Sequence, residues 1–259
     1  MPYEPINLDQ IEIPESVRML VAKRIDPVLR DVRTMLAFPR ELGEVGFNLT
    51  ATPALFSIIG GLSRVFFSNV KGDRESFPMV AERYPLSEEP QRAIRDAQRF
   101  STELYKTYRN SLIHSFGLSV KWSNDNNRYH VETMENVPKI VRHSLAPPEK
   151  QLDELENASG RPDWLEPTLA ERDNVVRLCP DALYWGVRRL VRLLAEDDGL
   201  HDSAMSLLAP WAAHVLDEQR ETRAPYPEAS SPHSAQEVLA TATPVSVGSF
   251  GINDKPDNR

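Results

Sequence analysis

Leu104-Tyr105-Lys106-Thr107-Tyr108-Arg109-Asn110-Ser111-Leu112-Ile113-His114-Ser115-Phe116-Gly117 closes a longer run in which Ala93, Ala97, Phe100, Leu104, Tyr108 and Ser111/Leu112 recur at steps of three and four residues. That is the period of an α-helix, and it predicts a helix over residues 90–115 with one apolar face. Ser87 supplies a cap, Pro90 suits a first turn whose N–H groups have no partner, and Gly117 supplies a stop. Arg109, Asn110 and His114 therefore fall in the last two turns.

On a regular helix Asn110 and His114, four apart, share a face. Arg109 and His114, five apart, stand about 140° around the axis and roughly 7.5 Å along it. Either the long arginine side chain reaches round or the helix loosens. A guanidinium can grip a phosphate through two parallel N–H bonds, and an imidazole with an ordinary pKa near 6.5 can move a proton at neutral pH. Those are the two capacities a simple RNA-cutting site needs.

With Tyr105, Arg109, Asn110 and His114 at these places, the run resembles the Arg-x4–6-His motif of the HEPN (higher eukaryotes and prokaryotes nucleotide-binding) superfamily. The resemblance covers roughly residues 15–145, because the earlier run from Phe56 to Phe67 and the run from Phe77 to Pro85 also suit that family's helices. It implies a mainly α-helical bundle, a homodimer that brings two motifs together, and RNA as substrate. It assigns Arg109 as phosphate ligand, Asn110 as the polar residue that commonly follows it, and His114 as acid/base. The implied reaction is attack of a ribose 2′-OH on the adjacent phosphorus without a metal, leaving a 2′,3′-cyclic phosphate and a 5′-OH. Such an endoribonuclease would serve stress response or antiphage and mobile-element defence, with an antitoxin or regulator as a further partner. The competing reading is a catalytically silent HEPN-like binding or scaffold protein, in which Arg109 is an ordinary arginine and His114 rests against a helix C-terminus that favours positive charge.

Composition sets bounds on this. The chain has 259 residues, 41% hydrophobic and 26% charged, which is ordinary globular usage with enough apolar material for a core. A net charge of −8 argues against a protein that coats nucleic acid indiscriminately, so any RNA contact must be local. Around the motif, Arg83, Arg92, Arg95, Arg99, Lys106 and Arg109 are balanced by Glu82, Glu88, Glu89, Asp96 and Glu103. These charges read mostly as a solvated helix face with pairs such as Arg92/Asp96 and Arg99/Glu103. The single cysteine, Cys179, excludes an intramolecular disulfide and a cysteine-cluster zinc site, and reads as core or interface. No basic start and apolar run opens the sequence, so a cytoplasmic protein is expected.

The remaining segments read as helices with one hairpin. Residues 14–38 carry a helical period interrupted at Asp26-Pro27, giving two helices or one kinked helix. Residues 45–63 form the longest uncharged run. Its polar residues and Gly60-Gly61 favour a buried helix over a membrane span, with Thr52 as cap, Pro53 as first helical residue, and the glycines permitting a bend or a close approach. That helix is expected to pack behind the motif helix. Residues 118–122 and 129–133 alternate and are rich in β-branched and aromatic residues, which predicts a β-hairpin directly after the motif helix. Trp122 and Tyr129 in it could stack on a base beside Tyr105, although covering the core is the commoner use of such residues.

Beyond a polar, proline-marked linker over 146–162, residues 165–178, 182–195 and 200–216 read as three C-terminal helices. The middle one sets Leu183, Val187, Leu190, Val191 and Leu194 against Arg188, Arg189 and Arg192, as a core-facing helix with solvated arginines would. From about Glu221 no period survives and a mobile tail is expected. The resulting division is 1–145, a HEPN-like domain with hairpin; 146–162, a linker; 163–220, a helical segment; and 221–259, a tail. His114, His130 and His143 form no metal-ligand spacing, and no phosphate loop or nucleophile elbow occurs, so no metal, cofactor or membrane partner is predicted.

Overall fold

The computed structural model describes residues 3–37, 48–86, 89, 93–110, 112, 120–125, 128–133, 139–140, 153, 155, 160–172 and 175–223. Two compact units divide the chain, Met1–Val215 and Leu216–Arg259. Of the second, residues 216–223 are described, as helix.

The fold is mainly helical. Helix α1 (Glu15–Leu20) runs into a wider i→i+5 turn over Val21–Ile25 and on into α2 (Asp26–Ala37). The interruption expected at Asp26-Pro27 thus takes the form of a π turn. Pro27 offers no N–H to the carbonyl four residues back and its ring crowds that carbonyl, so loosening the turn before it relieves both problems. Asp26 is buried there and accepts hydrogen bonds from Tyr3 Oη at 2.7 Å and from the Ile6 N–H at 3.2 Å, tying the N-terminal segment to the start of α2.

Helix α3 (Asn48–Phe66) begins earlier than the Thr52-Pro53 pair suggests, and Pro53 lies inside it. Thr52 is fully buried, a poor position for a solvated cap. Gly60 and Gly61 serve no close approach: a Cβ at either would meet nothing within 4 Å. Helix α3 packs on α2, on α4 (Asp73–Ala81) and on α6 (Pro180–Glu196), and Leu55, Phe56, Ile59, Leu62 and Phe66 form the centre of the core. Contact between α3 and the motif helix runs largely through α4, where the rings of Phe56, Phe77 and Tyr105 follow one another at centroid distances of 6.4 and 5.3 Å.

The motif helix starts at Ala97, not at Pro90. Asp96 caps it by accepting from the Arg99 N–H at 2.6 Å. Upstream, Ala93 bridges to Ala170 and the Ile94 N–H donates to Leu169 O at 3.1 Å, so this stretch is held extended against a sheet and cannot join the helix. Helix α5 (Ala97–Thr102) passes into a π-wound segment over Glu103–Arg109. Its inner face, Phe100, Leu104 and Tyr108, is buried as the periodicity predicts.

The hairpin is present as β1 (Val120–Asp125) and β2 (Arg128–Thr133), with Trp122 opposite Val131 and Tyr129 opposite Asn124. A second sheet was not expected. It has the order β3 (Lys139–Ile140), β5 (Val175–Leu178), β4 (Leu169–Arg172), with β3 parallel and β4 antiparallel to β5. The predicted helix over 165–178 is therefore a strand pair. Leu169 and Leu178 sit buried opposite each other, and β-branched Val175 and Val176 favour the extended form. Helix α6 follows with Pro180 in its first turn and buries Leu183, Val187, Leu190, Val191 and Leu194, as expected. After a short 3₁₀ turn over Asp198–Leu200, α7 (His201–Arg223) completes the described chain. Cys179 is buried in the core.

Gly186 on α6 is where a glycine is required. A Cβ there would lie 1.7 Å from Tyr84 Oη and 2.0 Å from its Cζ. Tyr84 occupies that space to donate to Ala182 O at 3.1 Å and to share a 2.8 Å hydrogen bond with Thr168 Oγ1.

Candidate functional site

Arg109 closes the π-wound segment, and the N–H of Asn110 bonds back to Tyr105 O, five residues earlier. The helix thus loosens before Arg109, whereas Asn110 and Leu112 are α-helical and the rest of the turn between Arg109 and His114, where the five-residue spacing falls, lies outside the described residues. Such π turns are uncommon and recur at functional positions. The Arg109 guanidinium is held on three sides. Nη2 reaches Asp73 Oδ2 at 3.0 Å, Nη1 donates to Asn110 Oδ1 at 3.0 Å, and Cζ lies 5.4 Å from the centre of the Tyr105 ring. Its side chain retains 14% exposure.

Asp73 is shared. Its other oxygen, Oδ1, accepts from Arg64 Nε at 3.0 Å. The Arg64 hydrogen bond, together with the charges of Arg64 and Arg109, holds the Asp73 carboxyl below its usual range in spite of partial burial. The result is a guanidinium–carboxylate–guanidinium chain with one net positive charge. Asp73 opens α4 directly after Gly72, whose φ of 83° lies in the left-handed region that glycine tolerates. Beside Asp73 and Arg64 lies a depression of about 280 Å³, bordered also by Ser68, Gly72, Ser76 and Leu207.

Of the residues singled out in the sequence, Tyr105, Arg109 and Asn110 come together here. His114 lies outside the described residues. The backbones of Trp122 and Tyr129 stand in the hairpin ladder, and their side chains are likewise outside what is described. Asp73 and Arg64 were not anticipated. An acid in a first helical turn is an ordinary helix-start signal, and nothing local announces a partner so far along the chain.

Most of the described charges near the motif are exposed, as a solvated face requires, but Glu89 is buried in a second polar cluster. Glu89, with 1% side-chain exposure, is paired with Arg161 at 2.8 Å, itself 7% exposed. The Glu89 carboxylate also accepts from Thr168 Oγ1 at 2.6 Å and from the Thr168 N–H at 3.1 and 3.2 Å. Arg161 donates further to Leu165 O. Burial pushes Glu89 above the ordinary carboxylate range, although Arg161 and Thr168 oppose it; burial, reinforced by Glu89, pushes the Tyr84 phenol well up. Sealed from solvent, the cluster clamps residues 161–168 onto the core. Arg99, expected to pair along its own helix, forms an ion pair with Glu171 on β4. Tyr108 Oη donates to Val176 O at 2.8 Å, a second tie between the motif helix and the sheet.

Among the described residues no group of three or more His, Cys, Asp or Glu side chains is arranged to hold a metal ion, and no helix is long and apolar enough to cross a membrane. Comparison of the chain with family models, with curated proteins and with solved structures finds no match.

Proposed function

We propose that the chain is a metal-independent endoribonuclease of HEPN type, working as a homodimer in stress response or in defence against phage and mobile elements. The observation that carries this reading is the fixed pose of Arg109, locked by Asp73, Asn110 and Tyr105 at the close of a loosened helical turn that leads into the Arg-Asn-x3-His motif. In the proposed reaction His114 removes the proton from a ribose 2′-OH as that oxygen attacks phosphorus. The P–O5′ bond breaks, the 5′-oxygen takes a proton from the second protomer's histidine, and Arg109 faces the charge that builds on the phosphorane. General acid/base catalysis supplies typically about 10²–10⁴-fold, and a fixed cation at the developing charge adds to it.

The competing reading, a silent HEPN-like binding or scaffold protein, draws on the same contacts. An arginine engaged by a carboxylate and only 14% exposed is also what a purely structural residue looks like.

Cleavage of varied RNAs by the purified full chain in EDTA, beside His114→Ala and Arg109→Lys, separates the two. The enzyme reading expects products with 2′,3′-cyclic phosphate ends from the wild type, loss in His114→Ala, and a large loss in Arg109→Lys, because an ammonium cannot reproduce bidentate phosphate binding. No cleavage by any form, or equal cleavage by all three, selects the silent protein.

A further inference from the structure

Arg64 projects from α3 with 72% of its side chain exposed. Its Nε is committed to Asp73 Oδ1. Among the described residues neither of its Nη groups makes a hydrogen bond, so the outer edge of this guanidinium faces solvent. Asp73 thus fixes the direction of the Arg64 fork while leaving its outer two-donor edge open, which is the geometry that phosphate oxygens accept. On its far side the same carboxylate holds Arg109, so the two arginines stand one carboxylate apart, and the three groups together carry a charge of plus one on a chain of net charge −8.

The depression next to Arg64 has two unlike borders. Arg64, Ser68, Ser76 and the Asp73 carboxylate, which Arg64 and Arg109 neutralise, give it a polar edge, while Phe67, Val70 and Leu207, the last 49% exposed, give it an apolar wall. A nucleotide presents the same division, an anionic phosphodiester joined to a flat base with an apolar face. We infer that Arg64 and this depression form a subsite for the RNA nucleotide next to the one held at Arg109, with Arg64 on its phosphate and the base against Leu207. The inference rests on the ribonuclease reading for its substrate class, and Arg64 acts in binding rather than in the chemical step. A merely structural Arg64–Asp73 pair would leave RNA affinity untouched.

The test measures fluorescence anisotropy of a labelled single-stranded oligoribonucleotide bound to full-length His114→Ala, which holds the strand uncut, with and without Arg64→Gln, over a salt series. Loss of one phosphate contact should weaken binding about ten-fold at low salt and reduce the slope of log K against log salt by roughly 0.7. Arg64→Lys should restore the slope but only part of the affinity, because the charge returns without the fork. In the cleaving protein Arg64→Gln should raise KM and leave kcat near its original value. Unchanged affinity and slope in Arg64→Gln, with wild-type cleavage intact, overturns the subsite and leaves the ribonuclease reading standing. Arg64-dependent binding by a wild-type chain that never cleaves removes the ribonuclease and keeps the subsite. Absence of RNA binding altogether overturns the subsite as well.

Discussion

Arg109 and Asp73, 36 residues apart in sequence, are joined by a 3.0 Å bond from Nη2 to Oδ2, and Asp73 also accepts from Arg64. One carboxylate thus links α3, the start of α4 and the π-wound segment of the motif helix. Because its partners hold Asp73 below its ordinary value of 3.8, the folded chain binds this proton less tightly than the unfolded chain. The stabilisation is therefore complete above about pH 4 and is lost as pH falls through the folded value. Asp73→Asn should lower stability by about 1 kcal/mol at pH 7, a modest figure because Arg64 is largely solvated. Urea unfolding of both proteins at stepped pH should show the gap closing in acid; a gap that persists undiminished at low pH would mean that Asp73 acts through shape and not charge.

Glu89 carries the opposite sign. Its folded value is raised, so its ionised form is disfavoured by folding, and its contribution to stability declines as pH rises from the unfolded carboxylate range through the raised value. Even so, removing the charge alone should be costly. Glu89→Gln takes the balancing carboxylate away from Arg161, which is 7% exposed, and loss of about 3 kcal/mol is expected. Replacing both partners together by apolar residues of similar size should cost clearly less than the sum of the single changes. Denaturant midpoints for the three variants decide this, and additive losses would show that the two residues are not energetically coupled.

Gly186→Ala opposes helix propensity to packing. An exposed helical glycine gains about 1 kcal/mol on conversion to alanine. Here the new methyl would collide with the buried Tyr84 ring, which cannot retreat without giving up its bonds to Thr168 and Ala182. A loss of about 1–3 kcal/mol or more is expected, read as a fall in Tm. An unchanged or higher Tm would mean that the ring shifts freely.

Asp96 sets the start of the motif helix. Asp96→Ala should cost about 1 kcal/mol, while Asp96→Asn, which still accepts from the Arg99 N–H, should retain most of it. Hydrogen exchange at residues 97–102 should quicken in the alanine variant and not in the asparagine one. Equal protection in both would place the start of the helix under the control of the Ala93–Ala170 bridge instead.

What sequence revealed depended on how local the governing interaction was. The apolar faces of residues 97–108 and 183–194 follow the helical period because burial of one stripe repeats every three or four residues, and the hairpin follows from alternation about a short polar turn. Residues 165–178 form a strand pair where the sequence suggests a helix, because apolar residues such as Leu165 and Leu169 suit either form. Pairing with the distant Lys139–Ile140 and the grip of Glu89 on Thr168 decide between the two.

By itself, then, the sequence determined the mainly helical class, the hairpin, the apolar faces and the clustering of Tyr105, Arg109 and Asn110, all consequences of periodicity and adjacency along one chain. Only tertiary structure decided that Arg109 is met by Asp73, that Asp73 is shared with Arg64, and that Glu89 is buried against Arg161. Charged side chains carry no periodic signature of their partners. Whether a carboxylate is solvated or paired depends on which distant segment the packing of the core brings within about 3 Å of it.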